Sequence, residues 1–545
     1  MALLFLSCLL ILPVLMGMGH AMQHYSGCRF SQGIAAKIIM GMAGISLVWT
    51  VTAFFLPLNT YTEIPVIAAG VFFFFKEKLY KELYCLSKKD NILLLIITFI
   101  ILFSSSFYPF ILDHFGYYVP TVRWLHTYGL AQGISNLDLI LGQMSVWHIF
   151  QAGFSGIADP FLRINSVLLI TYTVYIIEKK SWVQLCLVPF FLFFTQSPSP
   201  DLPVLVISLI ILNEILNGNR NTAVLFGLSV WVFAIKPTMI WLPILSFLYA
   251  IFIIKSSFRK MAFGIFILIL FFFKNLWTFG YPVFPVALGD FGISWKPDPE
   301  VLRLSSQYAV QKTYDMQYSY DAIRQFSVVE SISHWLFLTG IKSAIHISFV
   351  VILTIFIVYT VIKKNRVLTC ICIALVTKCI LVLIFSAQYR FFIDVFFVVF
   401  FILCRSHVSR KSAISICLGL SMASIGCLTF PLALQALVPS FRPGRFMGNF
   451  ERQQLYRPSV YQYNRFRSFK VGNLSFHVSE KYPFNFDTPL PAISESYIFE
   501  YARAGVFPQL KDKRDIRQGF RYKKLTPEEQ HQVKEVMHTI EKSYQ

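Results

Sequence analysis

Charged residues are scarce in this chain: Asp, Glu, Lys and Arg make up 14% of its 545 residues, against about a quarter in soluble domains. With 56% hydrophobic residues and a mean hydropathy of +0.60, that shortage excludes an ordinary soluble enzyme and points to a membrane protein. Acidic residues are the scarcer class, 28 against 48 basic ones, giving a net charge of +20. In a polytopic chain that excess is explained by cytoplasmic loops and lipid phosphate, so membrane lipids are expected partners and nucleic acid is not. Cysteine is missing from the expected outer loops and tail, and Cys186, Cys370, Cys372, Cys379, Cys417 and Cys427 fall inside apolar runs. A disulfide scaffold and a CxxC metal site are thereby excluded, and buried apolar packing is the better account of these thiols. No internal repeat and no low-complexity linker is found.

What the chain does contain is a series of apolar segments close to the roughly 20 residues a membrane span needs. They fall near 1–18, 36–57, 62–75, 91–112, 162–177, 182–195, 202–216, 222–235, 239–254, 261–273, 341–362, 367–386, 391–404 and 412–434. The first ends near Gly19-His20-Ala21, as a signal peptide would, but no basic residue precedes it, which favours a retained helix. Basic residues orient the array. Lys76, Lys78, Lys81, Lys88 and Lys89 share one loop, and Lys179 with Lys180, Arg220, Lys255 with Arg259 and Lys260, Lys363 with Lys364 and Arg366, and Arg405 with Arg410 and Lys411 occupy others. All of these loops fall on one side, which the positive-inside rule makes cytoplasmic. The expected fold is an all-α polytopic membrane protein of about fourteen transmembrane helices over 1–434. Outer interfacial helices lie in loops 113–161 and 274–340, and a small α+β soluble domain over 435–545 sits on the external side.

The same parity gathers the unusual polar residues on the outer face. Asp113 and Asp201 are there, with Lys236, Lys274 and Arg390, cations at short outer turns or helix mouths where topology disfavours them. A cation kept in such a place calls for a partner, and a phosphate at headgroup depth is a natural one. Asp113 follows an apolar run ending Pro109-Phe-Ile-Leu and precedes Tyr117 and Tyr118, so a carboxylate stands at the water boundary, as a general base for a hydroxyl must. It could also be a merely solvated helix end, and His114 beside it an exposed interfacial ring. Asp201, in Ser-Pro-Ser-Pro-Asp201-Leu-Pro, either favours the dipole of the next helix, accepts hydrogen bonds from a sugar, or shares a divalent ion with Asp113. Lys236 either snorkels or meets phosphate, and the planar fork of Arg390 suits phosphate oxygens better. Arg123 and Lys274 are further phosphate-binding candidates. The run Lys274-Asn-Leu-Trp277-Thr-Phe-Gly-Tyr281-Pro-Val-Phe-Pro285 halts its helix sharply and should lay its rings along the membrane surface, whereas Ser305 to His334 is polar and helical in pattern. In the tail, Arg442 to His477 is rich in Arg, Tyr and Phe, Val460 to Val471 alternates as a strand does, and Thr526-Pro-Glu-Glu529 is a helix start.

This organisation resembles the GT-C superfamily of glycosyltransferases. The resemblance lies in Asp113-His114-Phe-Gly-Tyr117 in the first large outer loop, the interfacial helices after it, the acidic turn at Asp201, the Lys274 to Pro285 run, the late outer Arg390-Phe391 and the external tail. Aminoarabinose and protein-mannosyl transferases are similar in organisation, with an Asp-Glu pair where this chain has Asp-His. The resemblance implies an inverting transfer from a polyprenyl-phosphate-linked sugar to a hydroxyl of a glycan, lipid or protein acceptor, in a bacterial inner membrane with the active site facing the periplasm. It implies Asp113 as base, Lys236, Lys274, Arg390 and Arg123 around the donor phosphate, and His114, Tyr117, Asp201, Trp277 and Tyr281 around sugar or acceptor. No cofactor is required beyond, at most, a divalent cation such as Mg or Mn on Asp113 and Asp201. An O-antigen-type polymerase or ligase and a lipid-linked sugar flippase share part of the pattern.

Overall fold

The computed structural model describes residues 1–27, 30–437 and 449–544; helices dominate, and a helical run falls on each of the expected apolar segments. Among the described residues six helices are long and apolar enough to cross a bilayer: Ala2–Ser26, Ile34–Thr52, Phe258–Thr278, Ile341–Lys363, Arg366–Phe385 and Arg410–Thr429. The protein is therefore a mostly helical membrane protein with six candidate spans. Other segments are shorter for local reasons. The one expected at 182–195 breaks into Trp182–Leu185, Val188–Phe191 and Leu192–Phe194, where Pro189 has no amide with which to continue the first piece.

The first helices pack closely because glycine removes the side chain between them. A Cβ on Gly19 would lie 1.7 Å from the Lys37 carbonyl oxygen, and one on Gly41 would lie 2.0 Å from that of Leu15. Small residues at such crossings are the usual route to close helix approach in a bilayer, where there is no hydrophobic drive between helices.

At one end of the helices the basic loops meet. Arg410 donates to Asp90 at 2.6 Å and lies over the Trp182 ring, and Lys179 pairs with Glu214 at 3.8 Å. Glu178 accepts from the backbone amides of Ile34 and Ala35, satisfying two donors that the start of a helix leaves open. At the other end lie Asp113, Asp201, Lys236 and Arg390.

Three expectations need correction. The helix leading to Asp113 ends at Ser105, not at Leu112, because Ser105 and Ser106 turn their hydroxyls back onto the Ile101 and Phe103 carbonyls and Pro109 follows. The chain resumes as a π-helical turn, His114–Tyr118, that runs into the helix Val119–Tyr128. Second, Val146–Gly153 is no surface helix: every one of its residues is buried. Its polar groups are met inside, Trp147 Nε1 by Asn165 Oδ1 at 2.9 Å and Gln151 Nε2 by Asp159 Oδ2 at 3.1 Å. Third, the strand read at Val460–Val471 begins only at Phe466.

The tail carries two antiparallel hairpins, β1 (Phe466–Val471) with β2 (Leu474–Ser479) and β3 (Val506–Leu510) with β4 (Phe520–Lys524), and two helices, Glu495–Ala504 and Pro527–Tyr544. Thr526 and Glu529 cap the last helix reciprocally, as the sequence indicates. The tail is interlocked with the helices: Phe520 N donates to Gln132 O at 2.9 Å, Arg163 Nη2 to Ser459 O at 2.9 Å, and Ser494 Oγ to Asp138 Oδ2 at 2.7 Å. One hydrophobic core runs through both parts. The compositional border at 434 falls within the helix Pro431–Leu437, and Arg442 of the arginine-rich stretch lies outside the described residues.

Candidate functional site

The π-helical turn sorts neighbouring residues onto opposite sides. A π turn inserts an extra residue, and such insertions recur at functional sites. Here Asp113, Tyr117 and Tyr118 face the loops that follow later spans, while His114, Val119, Arg123 and His126 line a cavity on the other side.

Asp113 Oδ2 accepts from Arg390 Nη1 at 3.2 Å, across 277 residues of chain. Both side chains remain more than a third exposed, at 36% and 43%. Arg390 Nε donates to Gln388 Oε1 at 3.1 Å, so the fork is oriented rather than dangling. Burial works against its charge, but Asp113, Tyr117 and Asp201 outweigh it and raise the Arg390 pKa. Beside this pair, Asp201 is ion-paired with Lys236. Burial would raise the Asp201 carboxyl, yet Lys236 and then Arg390 hold it below its ordinary value. The two cations share the Phe391 ring, Lys236 at 5.5 Å and Arg390 at 5.2 Å from its centroid. Two carboxylates and two cations thus form one electrically balanced cluster.

Neutral groups floor the cluster. Ser199 Oγ donates to Asp201 Oδ2 at 3.3 Å and lies 3.4 Å from Tyr118 OH. His148 is fully buried against both tyrosines, with ring centroids 4.8 Å from Tyr118 and 5.8 Å from Tyr117. Burial, with Lys274 behind it, brings the His148 pKa down to about 3, so the ring is neutral. Tyr117 is raised well above the ordinary phenol value, by burial first and by Asp113 next, and stays protonated.

The turn bearing Arg390 is held from outside by the segment 299–340, whose helices Pro299–Thr313, Tyr320–Gln325 and Val328–Leu336 bear out the helical pattern. Trp335 Nε1 donates to Ala387 O at 2.7 Å, and Lys342, paired with Asp315, lies over Tyr389. From inside it is held by Lys378, which donates to the Phe391 carbonyl and to Asp394 at 2.5 Å.

The structure brings together Asp113, Tyr117, Asp201, Lys236 and Arg390 among the residues the sequence singles out. Lys274 is fully buried and donates to the Gln143 and Met144 carbonyls at 2.7 and 2.9 Å, so it fixes the loop beneath His148. Arg123 Nη1 donates to Phe486 O at 2.9 Å, on the cavity side with His114. Trp277 and Tyr281 make their contacts elsewhere: Trp277 Nε1 donates to Leu130 O at 3.0 Å, and Tyr281 packs on Phe279. Sequence reasoning missed Ser199, Lys378 and Asp394. The last two announce themselves only as ionisable residues inside consecutive apolar segments, which in a membrane is itself a functional signal.

A shared divalent ion does not fit the donor set. Asp113 and Asp201 are each engaged by a cation, and among the described residues no three His, Cys, Asp or Glu side chains group as a metal site would require.

No curated protein and no solved structure matches the chain. A family model described as a domain of unknown function, DUF8201, matches residues 1–397, a stretch that contains every member of the cluster and stops short of the tail. By that match over most of its length, the chain belongs to the DUF8201 family.

Proposed function

We propose that the protein is a multispanning glycosyltransferase of GT-C type. It moves a sugar, with inversion, from a polyprenyl-phosphate carrier to an acceptor hydroxyl on the outer face of a bacterial inner membrane. The observation that supports this best is the meeting of Asp113, Asp201, Lys236 and Arg390. They come from four separate loops, all assigned to the outer side by the distribution of basic residues. In this proposal the chain crosses the membrane about fourteen times, the shorter helices spanning with neighbours around their ends.

The resting cluster is neutral, and an anionic donor changes its pairing. The donor phosphate draws Arg390 and Lys236, which frees Asp113 to accept a hydrogen bond from the acceptor. The acceptor oxygen forms the new bond to the anomeric carbon as its proton passes to Asp113. The bond from that carbon to the phosphate oxygen breaks, and its electron pair leaves on the phosphate beside the two cations. In this proposal Tyr117, protonated and half-buried beside Asp113, donates to a sugar oxygen.

Purified protein supplied with radiolabelled polyprenyl-phosphate sugar and an envelope extract as acceptor tests the proposal. Transfer that is lost in Asp113→Asn, with the fold intact by circular dichroism, supports it. Transfer from a pyrophosphate-linked donor that survives this substitution points to a polymerase or ligase. Label that crosses sealed vesicles without transfer points to a flippase.

A further inference from the structure

Back to back with the ion-paired cluster lies a cavity of about 320 Å³, at the small end of the range for small-molecule sites. Three distant stretches wall it: the π-helical turn and following helix with His114, Arg123 and His126, the turn after Val146–Gly153 with Ser155, and the tail with Tyr461, Phe486 and Asp487. His114 is 6% exposed, and its Nδ1 has no hydrogen-bond partner among the described residues. Buried polar atoms are normally satisfied, so a ligand group in the cavity would complete it. His126 Nδ1 stands 3.2 Å from Ser155 Oγ at the same wall.

The cations in these walls already have their N–H groups engaged. Arg123 Nη1 is given to the Phe486 and Thr488 carbonyls, with the Asp487 carboxylate close by. Arg163, the other cation here, gives its Nε, Nη1 and Nη2 to the carbonyls of Ser105, Phe161 and Ser459. An anion would find these cations committed. Ser155 Oγ donates to the Ala152 carbonyl at 2.7 Å and is shared with His126. A hydrocarbon would therefore strand His114 Nδ1 alone, while leaving the Ser155 lone pairs and the His126 edge unused. What matches is an uncharged ring with hydroxyls around its edge and an apolar C–H face, the latter set against Phe486 and Tyr461, whose centroids lie 5.9 Å apart.

We propose that this cavity binds a neutral sugar residue, held by His114, His126 and Ser155 against the aromatic faces of the tail, at a site separate from Asp113 and Arg390. Naming the hydroxylated ring a sugar rests on the transferase proposal; the cavity and its chemistry do not. The site also gives the tail a function, since without Tyr461, Phe486 and Asp487 one wall is missing.

The full chain in micelles of a detergent without a sugar headgroup is titrated with methyl glycosides of glucose, galactose, mannose and N-acetylglucosamine, and with glycerol phosphate as anionic probe. Saturation-transfer NMR reads the binding. At least one glycoside is expected to bind saturably, about tenfold more weakly in His126→Phe, which fills the cavity, and with unchanged affinity in Asp113→Asn. Where His126→Phe does not fold, Ser155→Ala decides, with an expected loss of about threefold. No glycoside binding, binding of glycerol phosphate alone, unchanged binding in Ser155→Ala, or loss of binding in Asp113→Asn each overturns the proposal. No donor is present in these titrations, so a failure of the transferase proposal leaves their outcome intact.

Discussion

Asp113 and Arg390 meet at 3.2 Å although 277 residues separate them, and both keep more than a third of their side chains open to solvent. An ion pair so exposed contributes about 0–1 kcal/mol to stability. A chain that aligns these two groups through a π turn on one side and a braced turn on the other does so for something besides folding. Asp113→Asn is therefore expected to shift the melting temperature by no more than about 2 °C. The same change should lower transfer by about 10²- to 10⁴-fold, the range for a lost general base. Arg390→Lys keeps the charge but loses the fork and should retain transfer at an intermediate level. Calorimetry and the radiolabel assay on the same preparations check both halves.

Orientation is tested by single cysteines in a background with the native ones replaced by serine. Residues 113 and 390 are expected to react with a charged maleimide added outside intact cells. Residue 88, exposed at the start of the helix Lys88–Ser105 beside the basic loop at the opposite end, should react only after permeabilisation. Labelling of 88 from outside would invert the topology and remove the lipid-linked donor from reach of the cluster.

The helices, and the loops that meet around Asp113, were legible because hydropathy and basic residues report on solvent, and solvent shapes both. Asp113, Asp201, Lys236 and Arg390 could be grouped from parity alone. Lys274 and Trp277 could not be separated from them, because a cation or ring at a helix mouth looks the same in sequence whether it faces a ligand or the Gln143 and Leu130 carbonyls. The burial of Val146–Gly153 was illegible for a related reason. Its polar residues read as surface until Asn165 and Asp159, 18 and 8 residues away from their partners, are seen to meet them inside.

The junction between the helices and the tail should be sensitive to pH. Asp138 accepts from the Ser494 amide and hydroxyl, and burial pushes its pKa up to about 6; Glu500 nearby rises to about 7, from burial and then from Asp138. A raised carboxyl binds its proton more tightly in the folded state, so its stabilisation is complete below the ordinary value near 4 and fades as pH climbs through 6 to 7. Hydrogen-exchange protection factors over residues 494–504, with the intrinsic rise of exchange with pH divided out, are accordingly expected to fall between pH 5 and pH 8. Asp138→Asn, which still presents an oxygen to Ser494, should flatten that dependence.

Lys378 and Asp394 pair at 2.5 Å with 0% and 5% of their side chains exposed, inside two helices of otherwise apolar sequence. Removing one member strands the other's charge in a low-dielectric core, so Lys378→Met or Asp394→Leu alone should cost about 3–5 kcal/mol. The double substitution leaves no stranded charge and should recover most of that stability, since buried pairs seldom outperform apolar packing of similar volume. The pair nonetheless does something a hydrophobic substitute cannot: Lys378 also holds the carbonyl of Phe391, the residue next to Arg390 and the ring beneath both cations. The double variant should therefore be stable and slow, with transfer reduced at least tenfold and KM for the lipid-phosphate donor raised. A stable double variant with unchanged kinetics would mean that Arg390 is positioned by Gln388 and Trp335 alone.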